Sequence, residues 1–518
     1  MLHRFSSLVG TLNRNQPETE VKRRRLKPLI DEVAKGSTVI TNERYHQRSV
    51  AGRSPCVLEL SMTVRMTTGT TKVNRWILKA IQENPKAPMT TRYDVHTRMT
   101  KEIAICSKLF DAIGDYQKRV GIETTYFNSL FPHMVATRLN LTPTRSRPDR
   151  YCVIIYDDLD PLGYHFENAC TGFDLPTAEL LVKNLAFMHA IPIAMRLKNI
   201  FQFKESVMHM LNEVPDGTDI KDHYKQIYRD MRLGLDNQPE LEPHMEKIQA
   251  WIELSQKFSW TSKVYDTLDW FTICHPRYSI RNIMVKRNED GMPTESKILE
   301  PHRLEFNTGV KDLVYFMCTS IGTALLRDHF DDIIDVYHDH FITILLQHNV
   351  EIEQIERFSK EKLMNELNAM APYTLADILY TLRTIICDGF DAKGEPILDR
   401  DYRVKFKDII LLFIAKQWIT EIPTDPRPPG GPQPPGEPPR QGDPQGAAEI
   451  QIEGAQQALA QLLIGGDLLA PDQLQIHGEQ QGAAALQLED DPLPSCSEMQ
   501  SFSEYPPTLC SPSTRSFI

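Results

Sequence analysis

The side chains of this sequence best placed for chemistry are a lysine and a glutamate on neighbouring elements. Lys79 ends the β-rich run Ile77-Leu78-Lys79, and Glu102 follows in a stretch with helical spacing. A strand lysine held by a helix carboxylate is a device for gripping nucleotide phosphates. The same pair can equally be a structural ion pair joining two parts of a fold, and a lysine at a strand end is often simply solvated. The cysteines carry less. Nine are scattered at 56, 106, 152, 170, 274, 318, 387, 496 and 510 without a C-x-x-C pair for zinc or redox work, a pattern that suits a reducing intracellular compartment. His338 and His340 stand at i and i+2 of a helical stretch, where side chains diverge, so no metal is expected there.

Lys79 and Glu102 need elements to hold them. In Leu58-Glu-Leu-Ser-Met-Thr-Val-Arg-Met66 apolar and polar residues alternate strictly, which predicts a half-buried strand. The turn-like 67–71 follows, and 73–81 can return antiparallel with Lys79 near its end. Met99, Ile103, Cys106, Phe110 and Ile113 recur at helical spacing and place Glu102 on a helix, and 151–156 is a second β-rich run. Beyond it the chain reads as mostly helical. Segment 177–197 is amphipathic, Phe330, Ile333, Ile334, Tyr337, Phe341, Ile344 and Leu345 mark one face of another helix, and a β-like section, 271–286 with 297–299, turns at 288–291. A small β-rich lobe leading into a larger helical lobe is an α+β plan with a cleft for a ligand between the lobes.

Several segments then recur in a recognisable order: Ile155-Tyr-Asp-Asp-Leu159, Leu185-Ala-Phe-Met-His-Ala190, His275-Pro-Arg-Tyr-Ser-Ile-Arg-Asn-Ile-Met284, Leu299-Glu-Pro-His302 and Asp312-Leu-Val-Tyr-Phe316. Together they resemble the ecdysteroid kinase-like family, also called choline-kinase-like, over roughly residues 30 to 420. The resemblance implies a two-lobe protein-kinase-like fold, with the small lobe at 30–158 and the helical lobe at 159–420; a basic N-terminal segment at 1–29 and a tail at 421–518 flank it by composition. It implies ATP as phosphoryl donor and a small hydroxylated acceptor, with Lys79, Glu102 and Asn282 as nucleotide-binding residues and Glu300 at the metal motif.

The departures from the family pattern shape the functional reading. Where the family has H-G-D, this chain has His275-Pro276-Arg277, so Arg277 stands at the position of the aspartate that takes the proton of the attacking hydroxyl. A guanidinium has no acceptor and stays protonated, so it cannot be that base. Loss of a general base alone costs about 10²- to 10⁴-fold in rate, and Pro276 replaces a glycine whose freedom the loop uses. Glu300 replaces the aspartate of an L-D-F-Q motif and is one methylene too long for a cation as demanding as Mg²⁺, which makes Mg²⁺ doubtful. The covering loop keeps one glycine, at Gly52-Arg-Ser-Pro55. The expectation is a pseudokinase acting as a binding or scaffold protein. The alternative is an ATP-dependent small-molecule kinase acting on an ecdysteroid-like hydroxyl, with His275 or Glu300 as substitute base.

Charge divides the chain. Residues 421–518 hold 14 acids and three bases, which accounts for the whole net charge of −11, and 16 of the 35 prolines, leaving 1–420 neutral. A neutral body with an acidic tail is a poor partner for nucleic-acid phosphates, and no apolar run in the sequence approaches the length of a bilayer span. Neither nucleic acid nor membrane is expected as a partner. The tail reads as disordered: a polyproline-rich spacer at 423–444, a helical spacing at Ile452, Ala455, Leu459, Leu462 and Leu463, then apolar residues beside acids. A protein partner docking on it is the expectation, with an inert solubilising extension as the alternative. Val21-Lys-Arg-Arg-Arg-Leu-Lys-Pro28 reads either as a solvated helix face or as an import signal, so the expected location is cytoplasmic or nuclear.

Overall fold

The computed structural model describes residues 57–81 except 69, 89–211 except 123–125 and 143–146, 238–258, 269–387 and 400–422, with short pieces at 26, 28–29, 38–40, 46–47, 234–235 and 397–398. All of them belong to one unit, Met1–Pro439. Most of the basic cluster at 21–28, the segment 52–55 and the tail beyond 422 lie outside the described residues.

The alternating segment forms β3 (Val57–Thr68) and pairs antiparallel with β4 (Thr70–Ile81) from Val57↔Ile81 to Thr68↔Thr70, so both strands run further into the turn than their hydrophobic pattern suggests. On β4 the two-residue period sorts the side chains: Trp76, Leu78 and Ala80 are buried on one face, and Ile77 and Lys79 turn to the other. β6 (Val153–Asp157) is buried against β4, with Lys79 opposite Ile154. Three strands not anticipated from sequence complete the sheet: β1 (Thr38–Ile40), β2 (His46–Gln47) and β5 (Met134–Arg138). The order is β1-β3-β4-β6-β5, with β2 also on β3. Glu102 sits near the end of α1 (Met89–Ala104), which continues through the wide π turn Ile105–Leu109 into α2 (Phe110–Arg119).

The helical lobe is built around α3 (Leu175–Lys198). Asp174 caps it, accepting the Thr177 N–H at 2.9 Å. By length and hydropathy α3 could cross a membrane, but it is mostly buried in the protein's own core. It packs along α6 (Thr323–Gln347), whose apolar stripe from Phe330 to Leu345 is buried as the periodicity requires and whose path breaks at His329. Two further helices bear on the site, α5 (Gly309–Ser320) and α8 (Leu375–Ile385), with α4 (Met245–Phe258), α7 (Lys360–Met370) and the final α9 (Arg400–Ala415) packed around them.

The β-like section at 271–286 is not one strand. β8 (Phe271–Cys274) pairs with β11 (Glu305–Thr308), whereas β9 (Ile283–Arg287) forms a hairpin with β10 (Pro293–Ile298) and also takes β7 (Tyr164–His165). The two short sheets therefore bracket the segment 275–282 as a loop. The hairpin turns where Gly291 adopts φ +78°, a conformation that favours glycine, and Asn288 Oδ1 accepts the Met292 N–H at 2.8 Å.

Candidate functional site

Ile77 and Lys79 from β4, Glu102 from α1, Tyr156 and Asp157 at the end of β6 with Asp158 and Leu159 just beyond it, and Met284 with Leu299 to Pro301 from the helical lobe line a cavity of about 130 Å³. Lys79 Nζ lies 2.5 Å from Glu102 Oε2. Glu102 is buried and serves three donors: Lys79, the Tyr156 hydroxyl at 2.8 Å and His302 Nδ1 at 3.0 Å. Burial alone would raise its pKa, but Lys79 and the bond from His302 hold it down at about 2. Burial also pushes His302 down to about 4. At neutral pH the imidazole is therefore uncharged and donates through Nδ1–H, while its buried Nε2 meets no protein partner.

The loop between β8 and β9 is anchored from beneath. Asp312, in the first turn of α5, accepts the backbone N–H of His275 at 2.5 Å and lies 3.5 Å from His189 Nε2 on α3. Gly309 leaves the space that His189 fills, since a Cβ there would sit 2.7 Å from Nδ1. Cys274 joins His189 and Asp312 in one buried cluster. Its thiol donates to Asn307 O at 3.3 Å, and burial with the Asp312 charge keeps it protonated. This trio braces the loop.

Arg277 points into the helical lobe. Its Nη1 donates to Thr381 Oγ1 of α8 at 2.8 Å and to the Tyr315 hydroxyl of α5 at 3.3 Å, and the guanidinium lies 5.9 and 6.0 Å from the ring centroids of Tyr315 and Tyr380. Asn282 turns inward as well, its Nδ2 donating to Arg277 O at 2.9 Å. Neither side chain lines the cavity. His275 is fully buried with Nε2–H on Leu299 O at 3.0 Å, and burial lowers its pKa, so it is not placed to act as a base in the cleft. The structure thus gathers Lys79, Glu102 and Glu300 around one cavity and leaves Arg277 and Asn282 outside it.

Glu300 reaches the cavity from a left-handed backbone conformation, φ 59° and ψ 55°. Its carboxylate is already engaged by Nε of Arg303, three residues on. Burial opposes its ionisation, yet Arg303, His302 and Lys79 together hold it well below the usual carboxylate range. Mg²⁺ needs several oxygen ligands in near-octahedral array at roughly 2.0–2.1 Å. Here the one carboxylate of the metal motif is paired with a guanidinium, so Glu300 as it stands offers the ion no open ligand, while the bond from Asn282 to Arg277 O uses only its Nδ2. Tyr156, His302 and Arg303 were not singled out from sequence. Only the spacing of Glu300 and Arg303 carried a signal, as an i, i+3 pair.

A β-rich lobe whose strand lysine meets a helix glutamate, hinged to a helical lobe that supplies a braced loop and a following acidic motif, defines a kinase-like protein. The model of the ecdysteroid kinase-like family matches residues 56–350, more than half of the chain, and the chain belongs to that family. Among solved structures, a choline kinase from Cryptosporidium parvum Iowa II is similar at 10% identity and a TM-score of 0.39, covering 76% of this chain and 97% of its own. A Plasmodium vivax ethanolamine kinase is similar at 12% identity and a TM-score of 0.33, covering 79% and 92%. A microcompartment-associated aminopropanol kinase is similar at 9% identity and a TM-score of 0.35, covering 76% and 99%. No curated protein matches the sequence.

Proposed function

We propose that this protein is a pseudokinase of the ecdysteroid kinase-like family, a kinase-like body that binds a ligand in its cleft and does not transfer phosphate. The observation that carries this reading is Arg277. It stands where the family's proton-accepting aspartate belongs, it cannot accept a proton, and it is turned away from the cavity into bonds with Thr381 and Tyr315. The two groups that could replace the base are disabled differently: His275 is sealed beneath the loop, and Glu300 is ionised but held by Arg303. What remains in the cavity is a binding pair, Lys79 and Glu102, suited to a nucleotide or another anion.

A working kinase for a small hydroxylated acceptor is the second reading, and the intact Lys79–Glu102 pair and the Asp312-braced loop favour it. Incubation with MgATP and choline, ethanolamine or an ecdysteroid, beside a Lys79→Ala variant, separates the two. No phosphorylated product above the variant's background is expected, and turnover that vanishes in the variant would establish the kinase reading instead. The acidic tail and the basic cluster at 21–28 support work through protein partners in the cytoplasm or nucleus. Co-purification of the same partner with the full chain and with a chain ending at Ile422 would count against the tail as the docking element.

A further inference from the structure

We infer that the protein carries a second binding site, separate from the Lys79 cleft, for an uncharged molecule with an apolar body and one O–H or N–H donor. The site is a cavity of about 620 Å³ between α3, α6 and β10, within the roughly 300–1,000 Å³ of pockets that take a small ligand. Two helices contribute one face each. Leu180, Asn184 and Phe187 stand at i, i+4 and i+7 of α3, and His340, Ile344 and Gln347 repeat that spacing on α6. Strand β10 supplies Thr294 to Lys297, and Asn184 Nδ2 donates to Ser296 Oγ at 2.9 Å, joining helix to strand.

The ligand's chemistry follows from what the lining offers. His348, just past the end of α6, is buried in that lining, and its Nδ1–H is spent on Ile344 O at 2.8 Å. Its Nε2 therefore carries a lone pair, is itself buried, and meets no partner among the described residues. Burial lowers the pKa of His348 and of His340, the second imidazole in the lining, so both are uncharged at neutral pH and able to accept a hydrogen bond. The charged groups are already committed: Glu295 accepts from Lys286 at 2.9 Å and from the Tyr164 hydroxyl at 2.7 Å, and Lys297 Nζ donates to Ser129 O at 2.5 Å. These two charges are opposite, so the lining is neutral. An apolar body would rest on Leu130, Leu180, Phe187 and Ile344, and its donor would satisfy the imidazole acceptor that the fold leaves unpaired. Two segments that meet here run on into the Lys79 cleft, Ser129 and Leu130 leading to Pro132, and Ser296 and Lys297 to Leu299 and Glu300. A ligand in the second site would therefore brace two walls of that cleft.

The test is titration calorimetry on the full chain at neutral pH with a matched pair of probes: 4-propylphenol, which has a donor, and 4-propylanisole, its methyl ether, which has none. The phenol should bind about tenfold tighter than the ether, the worth of one hydrogen bond to an otherwise unpaired buried acceptor. His348→Phe, which keeps a ring and removes the acceptor, should bring the phenol down to the ether's affinity. Leu180→Trp, which fills the cavity from a half-buried position, should abolish binding of both. Hydrogen exchange with the phenol bound should show protection at 129–132, 294–301 and 340–348. The probe pair and the exchange map are read on the wild type, so they stand if a variant fails to fold. No phenol binding, equal affinity for phenol and ether, unchanged phenol binding in either folded variant, or protection that misses these segments would each overturn the inference. Phosphoryl transfer plays no part in the readout, so these results leave the reading of the Lys79 cleft as it stands.

Discussion

Replacing His302 by glutamine should flatten the acid limb of the stability curve. In the folded protein, burial places the imidazole's pKa at about 4 against an ordinary value of 6.5. Between those two values the unfolded chain takes up a proton that the folded chain refuses, so stability falls as pH drops and is regained as it rises. Each pH unit across that window costs up to about 1.4 kcal/mol, or about 3 kcal/mol from pH 6.5 to 4. Glu102 acts lower on the scale: its pKa near 2 against 4.5 gives stability that is complete above about 4.5 and is lost as pH falls towards 2. The two windows are therefore separable. Glutamine has an amide N–H able to replace Nδ1–H on Glu102 and does not titrate. Urea midpoints measured every half unit from pH 7 to 4 should show the wild type losing about 3 kcal/mol more than His302→Gln. Parallel curves would refute the assignment of a neutral buried imidazole bonded to Glu102, because His275 and His348, whose pKa values burial also lowers, are common to both proteins.

Three further outcomes follow from the same contacts. Arg277→Ala should destabilise by about 1.5–3 kcal/mol through loss of charge-assisted bonds to Thr381 and Tyr315, without creating phosphotransferase activity, read by urea denaturation and a MgATP assay. Gly309→Ala should cost about 1–3 kcal/mol, because its Cβ would press on His189 and disturb the loop's anchor, whereas alanine at the half-buried Gly114, whose Cβ would meet nothing within 4 Å, should not destabilise. A chain ending at Ile422 should melt within about a degree of the full chain. A chain ending at Thr420 keeps the acceptor for Trp251 Nε1 and loses the exposed Lys247–Glu421 pair, worth about 1 kcal/mol or less, and the exposed bond from Thr420 Oγ1 to Glu421 O.

Local periodicity made the frame of the site legible and long-range pairing hid its state. The alternation marked β3 as a strand, pairing to β4 followed, and the helical spacing through Ile103 and Cys106 put Glu102 on the element that meets Lys79. Strand β5 has too little contrast between its faces to announce itself, all five residues being half-buried. The separation of β8 from β9 depends on β11, more than 30 residues away, which no local pattern encodes. The replacement of the loop aspartate by Arg277 was readable as a change of chemistry. Its direction was not, because Thr381 is 104 positions distant. Glu300 and Arg303 were close enough in sequence to be suspected, but their union depends on a left-handed backbone at Glu300, an uncommon conformation for a glutamate.

The central claim, that the cleft binds without transferring phosphate, is tested most directly by a single turnover. With the protein in excess over γ-labelled MgATP and choline, ethanolamine and an ecdysteroid present together, even a transfer slowed about 10⁴-fold by the missing base would leave labelled product after hours, because kinases ordinarily turn over at about 1–100 s⁻¹. The account predicts no labelled acceptor beyond that formed by Lys79→Ala. Label appearing on any acceptor with wild type, and not with Lys79→Ala, would contradict it.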